Sequence, residues 1–280
     1  MNEALRKMSQ PGEFIDRDTM RFVREYPHPI ERVWAALIDA KQITVWWLDC
    51  MSLEPRLGGQ YEFDSGGGTI IKGRITEFEE PRIIEFSRGT RFELSECESG
   101  CRLVLTLKRW PLGWNPVSLA GFHGWLERLG LHLAGVTKEQ ANQLEFEELW
   151  LCLFPIYEML IKRNVTNGAK VIHRLHFQSN VATLDDESEA PLAELVELLR
   201  NRPDLKVALD GFSDEPCSLQ ESEALSRRRI EAVSRYLQDA GIEADRIFPN
   251  FAVGNHHFLN SRQTELERAF NRRVEARPIY

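Results

Sequence analysis

Along the first half of the chain the period of the apolar positions changes several times. Arg21–Tyr26 predicts a short strand. After Pro27 and Pro29 the spacing becomes helical over Ile30–Ala40, with Val33, Trp34, Leu37 and Ile38 on one side. Ile43–Leu48, carrying Trp46-Trp47, continues it. Short strands then recur over Gly59–Phe63, Thr69–Phe78, Ile83–Ser87, Phe92–Glu96 and Arg102–Lys108. Gly66-Gly67-Gly68, Glu80-Pro81, Arg88-Gly89 and Ser99-Gly100 separate these strands, so they predict an antiparallel meander with one apolar face. Phe122, Trp125, Leu126 and Leu129 form the stripe of a helix over Leu119–Leu133, and a second helical stretch covers Asn142–Lys162. Met1–Asp18 is polar and predicts a loosely ordered segment.

The join falls at Asn164–Ala169, which is polar and carries one glycine. The second half then reads strand Val171–Phe177, helix Ser188–Asn201, strand Leu205–Leu209, helix Ser218–Ala240, strand Arg246–Phe251 and strand Arg273–Arg277. In the longer helix Leu225, Ile230, Val233 and Leu237 fall close to one face. Pro203 and Gly241 stop the two helices. The fold class is α+β, with two domains at 20–163 and 170–280. The first is a curved antiparallel sheet closed over by a long helix, which leaves a cavity between them. The second is an α/β sandwich with its helices on one face.

Composition narrows the functions. With 42% hydrophobic and 28% charged residues the balance is that of a folded protein. A net charge of −8 argues against non-specific nucleic-acid binding, which needs a basic face. No apolar run reaches the ~18 residues of a membrane span. The first residues, MNEALRKMSQPGEF, lack an apolar h-region, so no signal peptide is read and a cytoplasmic location with reduced thiols is expected. The five cysteines show no framework spacing; Cys97 and Cys101 flank a hairpin turn, across which their thiols could face one another. No cofactor motif and no metal set is found: His173 and His176 are three apart on a strand and point to opposite faces, and His256-His257 stands alone in a loop.

One strand–helix junction carries candidate chemistry. Asp214 follows the strand end after Gly211, and Arg229 lies inside the next helix. A fixed carboxylate takes an ammonium, and a fixed guanidinium takes a carboxylate through two parallel hydrogen bonds. The plain alternative is a structural ion pair or two solvated charges. Arg227-Arg228-Arg229 with Arg272-Arg273 likewise reads as a solvated, Glu-paired face or as an anion site.

The motifs Gly211-Phe212-Ser213-Asp214, Leu225-Ser226-Arg227-Arg228-Arg229 and Asn271-Arg272-Arg273-Val274 resemble those of the OmpA C-terminal domain family. The resemblance covers Val171–Tyr280. It implies binding of peptidoglycan through the diaminopimelate of the stem peptide, or of another anionic or zwitterionic ligand. Asp214 and Arg229 are the ligand residues it carries over, with Ser222, Asn271 and Arg272 completing the site. Phe212 stands where the family has His, Ser213 where it has Thr, Ser222 where it has Asn, and Cys217 replaces the usual Gly; Phe212 and Ser222 remove polar groups, so weak or lost diaminopimelate binding is expected. The family's role implies the cell envelope as the alternative location.

Pro29-x-x-x-Val33-Trp34-x-x-Leu37, Trp46-Trp47, Pro55-x-x-Gly58-Gly59 and Gly124-Trp125-x-x-x-Leu129 resemble the START-like (SRPBCC) superfamily, nearest its heat-shock ATPase activator homology group. That implies the helix-grip fold over Met20–Lys162 and a pocket for an apolar small molecule. Trp46, Trp47, Phe63, Phe86, Leu105, Phe122 and Trp125 are the lining candidates. The bland alternative is that the Trp pair is core. Glu85 and Glu93 suit acid/base chemistry or the outward face of a sheet. No nucleophile–base signature stands out. The primary reading is therefore a non-enzymatic binding protein with a second module as anchor. The alternatives are an enzyme of hydrolase or cyclase type acting in the pocket, or a co-chaperone-like interaction protein.

Overall fold

The computed structural model describes residues 9–64, 70–138, 140, 146–214, 217–254 and 264–280. The glycine run at 66–68, the histidines at 256–257 and Pro216 lie outside them. The chain divides into two compact units, Met1–Leu160 and Ile161–Tyr280.

In the first unit eight strands form one antiparallel sheet in the order β1-β2-β8-β7-β6-β5-β4-β3. The strands are β1 (Glu13–Asp16), β2 (Thr19–Tyr26), β3 (Asp49–Leu53), β4 (Gln60–Asp64), β5 (Ile70–Glu79), β6 (Ile83–Phe86), β7 (Thr90–Cys97) and β8 (Gly100–Lys108). Alternation sets the buried face: Met20, Phe22, Arg24 and Tyr26 of β2 match Leu107, Leu105, Leu103 and Cys101 of β8 in register. Helix α1 (Ile30–Ile38) leads to α2 (Ala40–Trp46), which Asp39 caps by accepting from the amides of Lys41 and Gln42. Helix α3 (Pro116–Leu133) starts at a capping Asn115 with proline in its first turn. It buries Leu119, Phe122, His123, Leu126, Leu129 and Leu133, giving the helix-grip architecture. Helix α4 (Phe146–Asn164) follows, and the division between the units falls in its last turn.

Two elements were not expected. Residues Glu13–Asp16, within the polar N-terminal segment, form the edge strand β1, with Phe14 opposite Met20 and an Arg21–Glu13 ion pair across the hairpin. The turn is closed by the Asp18 amide donating to Asp16 Oδ1 at 2.7 Å. Strand β3 follows α2 at once and pairs with β4. The register also sets Cys101 opposite Glu96 and Cys97 opposite Gly100, which sends the two thiols to opposite faces instead of toward each other. Both are free, and burial raises the Cys101 thiol to about 11.

In the second unit the sheet order is β11-β10-β12-β9, with β9 (His173–His176), β10 (Lys206–Phe212), β11 (Ile247–Gly254) and β12 (Arg273–Ile279). Strand β10 runs parallel to β11 and antiparallel to β12. Helices α5 (Asp186–Asn201) and α6 (Leu219–Asp239) bury Leu192, Leu195, Leu199, Ile230, Val233 and Leu237 against Leu175, Val207, Leu209, Val274 and Ala276. A short helix α7 (Glu265–Asn271), not expected from the periodicity, starts at a capping box of Thr264 and Glu267. The other parity of β12 carries charge. Arg273 and Arg174 both reach Glu275 Oε1, at 2.9 and 3.3 Å, and Arg277 meets Asp210 at 3.7 Å.

Candidate functional site

The interior of the grip is aromatic. Trp46 ends α2, and its indole donates to the Ala36 carbonyl at 2.9 Å. Trp47, the next residue, occupies the centre. Its ring lies 5.2 Å from Phe63, 5.6 Å from Trp46 and Phe92, 5.7 Å from Phe86, 6.2 Å from Phe122 and 6.4 Å from Trp125. Six of the seven lining candidates therefore form one cluster around Trp47, and Leu105 sits opposite Phe92 in the adjacent strand. Unlike Trp46, Trp47 buries its indole N–H with no acceptor among the described residues, as does Trp34. A buried donor left without a partner costs ~1–3 kcal/mol, so these N–H groups favour an acceptor from outside the fold.

A second, polar cluster lies on the same unit, and the motif reading missed it. His123 of α3 is fully buried; its Nδ1 is 2.9 Å from the Tyr157 hydroxyl and its Nε2 3.4 Å from the Ser9 hydroxyl. The Tyr157 oxygen accepts from the Gly12 amide at 3.0 Å, which leaves its own proton for Nδ1. Nε2 then carries the ring proton and faces Ser9, whose hydroxyl donates to Glu127. Arg24 Nε donates to the same Glu127 oxygen at 3.2 Å. Burial, and then Arg24, push His123 down to about 3, so the ring is neutral. With its Nε2 protonated, His123 does not serve as base for Ser9, and Glu127 lies 3.5 Å from that same Nε2, on the Ser9 side, instead of orienting the ring from Nδ1. The set resembles a nucleophile triad only in its residue types. Glu85 and Glu93 do not converge on a substrate either: Arg91 holds both, at 3.1 and 3.3 Å, together with Glu77, on a partly exposed sheet face.

In the second unit Asp214 lies just beyond the end of β10, and Arg229, from the middle of α6, reaches the same strand end. Asp214 is 2% exposed and accepts from Asn271 Nδ2 at 2.9 Å. Arg229 is fully buried and donates to three carbonyls, those of Val181 at 2.9 Å, Gln178 at 3.0 Å and Phe212 at 3.2 Å. It thereby fixes the chain after β9 against the end of β10. Ser213 donates to the Ser222 carbonyl at 3.3 Å, which seats the start of α6 beside Asp214. Phe212 has its own role: its ring carries the Arg273 guanidinium at 3.8 Å. Arg272 points elsewhere. It donates to Phe177 O at 3.3 Å, pairs with Glu265 at 2.8 Å and lines a separate concavity of about 130 Å³ with His176, Gln178, Asp185 and the half-exposed Phe270. Asp214, Asn271, Ser222 and Arg229 are thus gathered at one junction, and Arg272 borders it from the other side of the chain. Among the described residues no group of three or more His, Cys, Asp or Glu is arranged for a metal ion. No described helix is long and apolar enough to cross a membrane.

The architecture is a helix-grip unit followed by an α/β sandwich, and comparison with known proteins finds the same two classes in the same order. Residues 27–134 match the family model described as Activator of Hsp90 ATPase homolog 1-like protein, and residues 176–272 match that of the OmpA family. The first half thus resembles the START-like superfamily and the second the OmpA-like domains, as the motifs predict. Similar solved structures include the peptidoglycan-associated lipoprotein from Burkholderia pseudomallei, at 23% identity over 38% of this chain and 89% of that one, TM-score 0.36. CalU16 from Micromonospora echinospora aligns at 18% identity over 51% of this chain and 88% of that one, TM-score 0.40. A putative MotB like protein from Desulfovibrio vulgaris aligns at 26% over 38% and 73%, TM-score 0.33. The curated proteins contain no match.

Proposed function

We propose that the chain is a two-module binding protein: the helix-grip unit takes an apolar small molecule, and the OmpA-like unit anchors on a peptidoglycan-type stem peptide through Asp214 and Arg229. The observation that carries the reading is the junction at the end of β10, where a buried carboxylate oriented by Asn271 and a buried guanidinium share one strand end. That is a zwitterion's complement, and such desolvated, hydrogen-bonded charges bind more strongly than exposed ones. The buried indole N–H of Trp47 supports the first module's role, since a mostly apolar guest bearing one acceptor satisfies it. A wall ligand fits the cell envelope better than the cytoplasmic location expected from the N-terminal residues, and cell fractionation decides between them.

Co-sedimentation with purified peptidoglycan tests the anchor. Native chain is expected to pellet, and Asp214→Asn, which keeps the acceptor for Asn271 and removes the charge, is expected to lose at least about tenfold in affinity, ~1.4 kcal/mol or more. A folded native chain that stays in the supernatant, or a variant that pellets equally, refutes this role. Tryptophan fluorescence with a panel of long-chain ligands tests the grip: a response is expected and should be lost in Trp47→Phe.

A further inference from the structure

The polar cluster of the first unit is unlike the apolar interior around it. Arg24, His123, Glu127 and Tyr157 come from three elements, β2, α3 and α4, and converge on one short segment, residues 9–12. That segment, Ser9-Gln10-Pro11-Gly12, carries no large apolar anchor. It is held by the Ser9 hydroxyl on Glu127, by Arg24 donating to the Gln10 carbonyl at 3.1 Å, and by the Gly12 amide on Tyr157. Gly12 itself lies against the Phe22 ring, where a Cβ would come within 2.8–2.9 Å of three ring carbons. Phe22 in turn contacts the rings of His123 and Tyr157.

The segment does not satisfy the cluster. Arg24 is 7% exposed, and its second terminal nitrogen is buried with no acceptor among the described residues. Buried guanidinium donors are normally paired in full, so a better-matched occupant brings one acceptor more than residues 9–12 do. The charges define that occupant. Arg24 and Glu127 neutralise each other at 3.2 Å, and His123 is neutral, so a charged head gains nothing here. A head with a carbonyl for Arg24 and hydroxyls for Glu127 and the remaining Arg24 donor fits.

Resting on the ligand reading of the grip interior, we propose that residues 9–12 are an internal plug. They occupy a polar subsite that receives the uncharged hydroxyl- and carbonyl-bearing head of an amphipathic acyl ligand when the plug lifts. The plug mimics that head with its own hydroxyl, carbonyl and amide, so plug and ligand compete.

Gly12→Val is the test, because its Cβ collides with Phe22 and unseats the plug without altering the cluster. In the full chain, monooleoylglycerol followed by tryptophan fluorescence is expected to bind Gly12→Val at least about tenfold tighter than native, while oleate gains nothing. Adding Glu127→Gln should return the affinity toward the native value. If Gly12→Val fails to fold, Tyr157→Phe removes the oxygen that accepts from the Gly12 amide, at the cost of its bond to His123 Nδ1, and the same preference is expected with a smaller gain. Equal monooleoylglycerol affinity in native and variant overturns the plug and leaves the pocket standing. An equal gain for oleate overturns the uncharged-head assignment. Silence of every probe in every folded variant overturns the pocket reading itself.

Discussion

Arg229 offers the sharpest test of how the second unit is built. Replacing it with alanine removes three charge-assisted hydrogen bonds to the carbonyls of Val181, Gln178 and Phe212. The Phe212 bond is wholly buried and is worth ~1.5–3 kcal/mol; the two to the chain after β9 are partly buried and count for ~0.5–1.5 each. Truncating a fully buried side chain adds a cavity on top. The expected loss is ~3–6 kcal/mol, comparable with the whole ~5–15 kcal/mol stability of a domain. The chain supplies its own assay. All seven tryptophans precede Ile161, so indole fluorescence follows the first unit alone, while far-UV circular dichroism follows both. We expect Arg229→Ala to split urea unfolding, with an early dichroism transition and an unmoved fluorescence transition. A variant whose dichroism midpoint matches the native chain refutes the structural weight given to these three bonds. If both transitions shift together, the two units do not fold independently. It follows that Arg229→Lys, which keeps a charge, is the better probe of ligand binding.

His123 should make the first unit acid-sensitive. Its folded-state value is held near 3 against an ordinary 6.5, so below about pH 6.5 the unfolded chain takes a proton that the folded chain refuses. The stability contributed by the neutral ring is complete above that pH and falls by up to about 1.4 kcal/mol per pH unit down to about 3; fluorescence-detected melting of His123→Asn should show a flatter pH profile than the native chain. Gly211→Ala should destabilise the second unit by ~1–3 kcal/mol or more in dichroism-detected urea unfolding, because the new methyl meets the Ser226 carbonyl at 2.7 Å and Ile230 at 2.9 Å; a midpoint unchanged in this variant contradicts the close seating of α6 on β10.

Much of the architecture was legible because its elements have clean periods. The alternation of the meander and the stripes of α3 and α6 could be read directly. β1 and β3 left no signal because neither has a buried position for an apolar alternation to mark, and α7 because seven residues give barely two turns of period. The signal for the polar cluster was present: Arg24 falls on the inward parity of β2 between Phe22 and Tyr26, and His123 and Glu127 stand four apart on the inner face of α3. Only the fold brings them together, over separations of about a hundred residues. The Asp214–Asn271 contact is of the same kind: the family motifs name both residues, but no local spacing predicts that they meet.

The charged parity of β12 has a consequence for how the second sheet is assembled. This strand enters between β10 and β9, two neighbours that are already far apart in sequence. Sliding it by one residue would turn Arg273, Glu275 and Arg277 into the Leu and Val layer beneath α5 and α6. Sliding it by two would set Arg174, now across from Glu275, against Arg273 or Arg277. One alignment alone puts every charge beside its opposite, so the ladder acts as a combination lock that admits the last strand at a single setting.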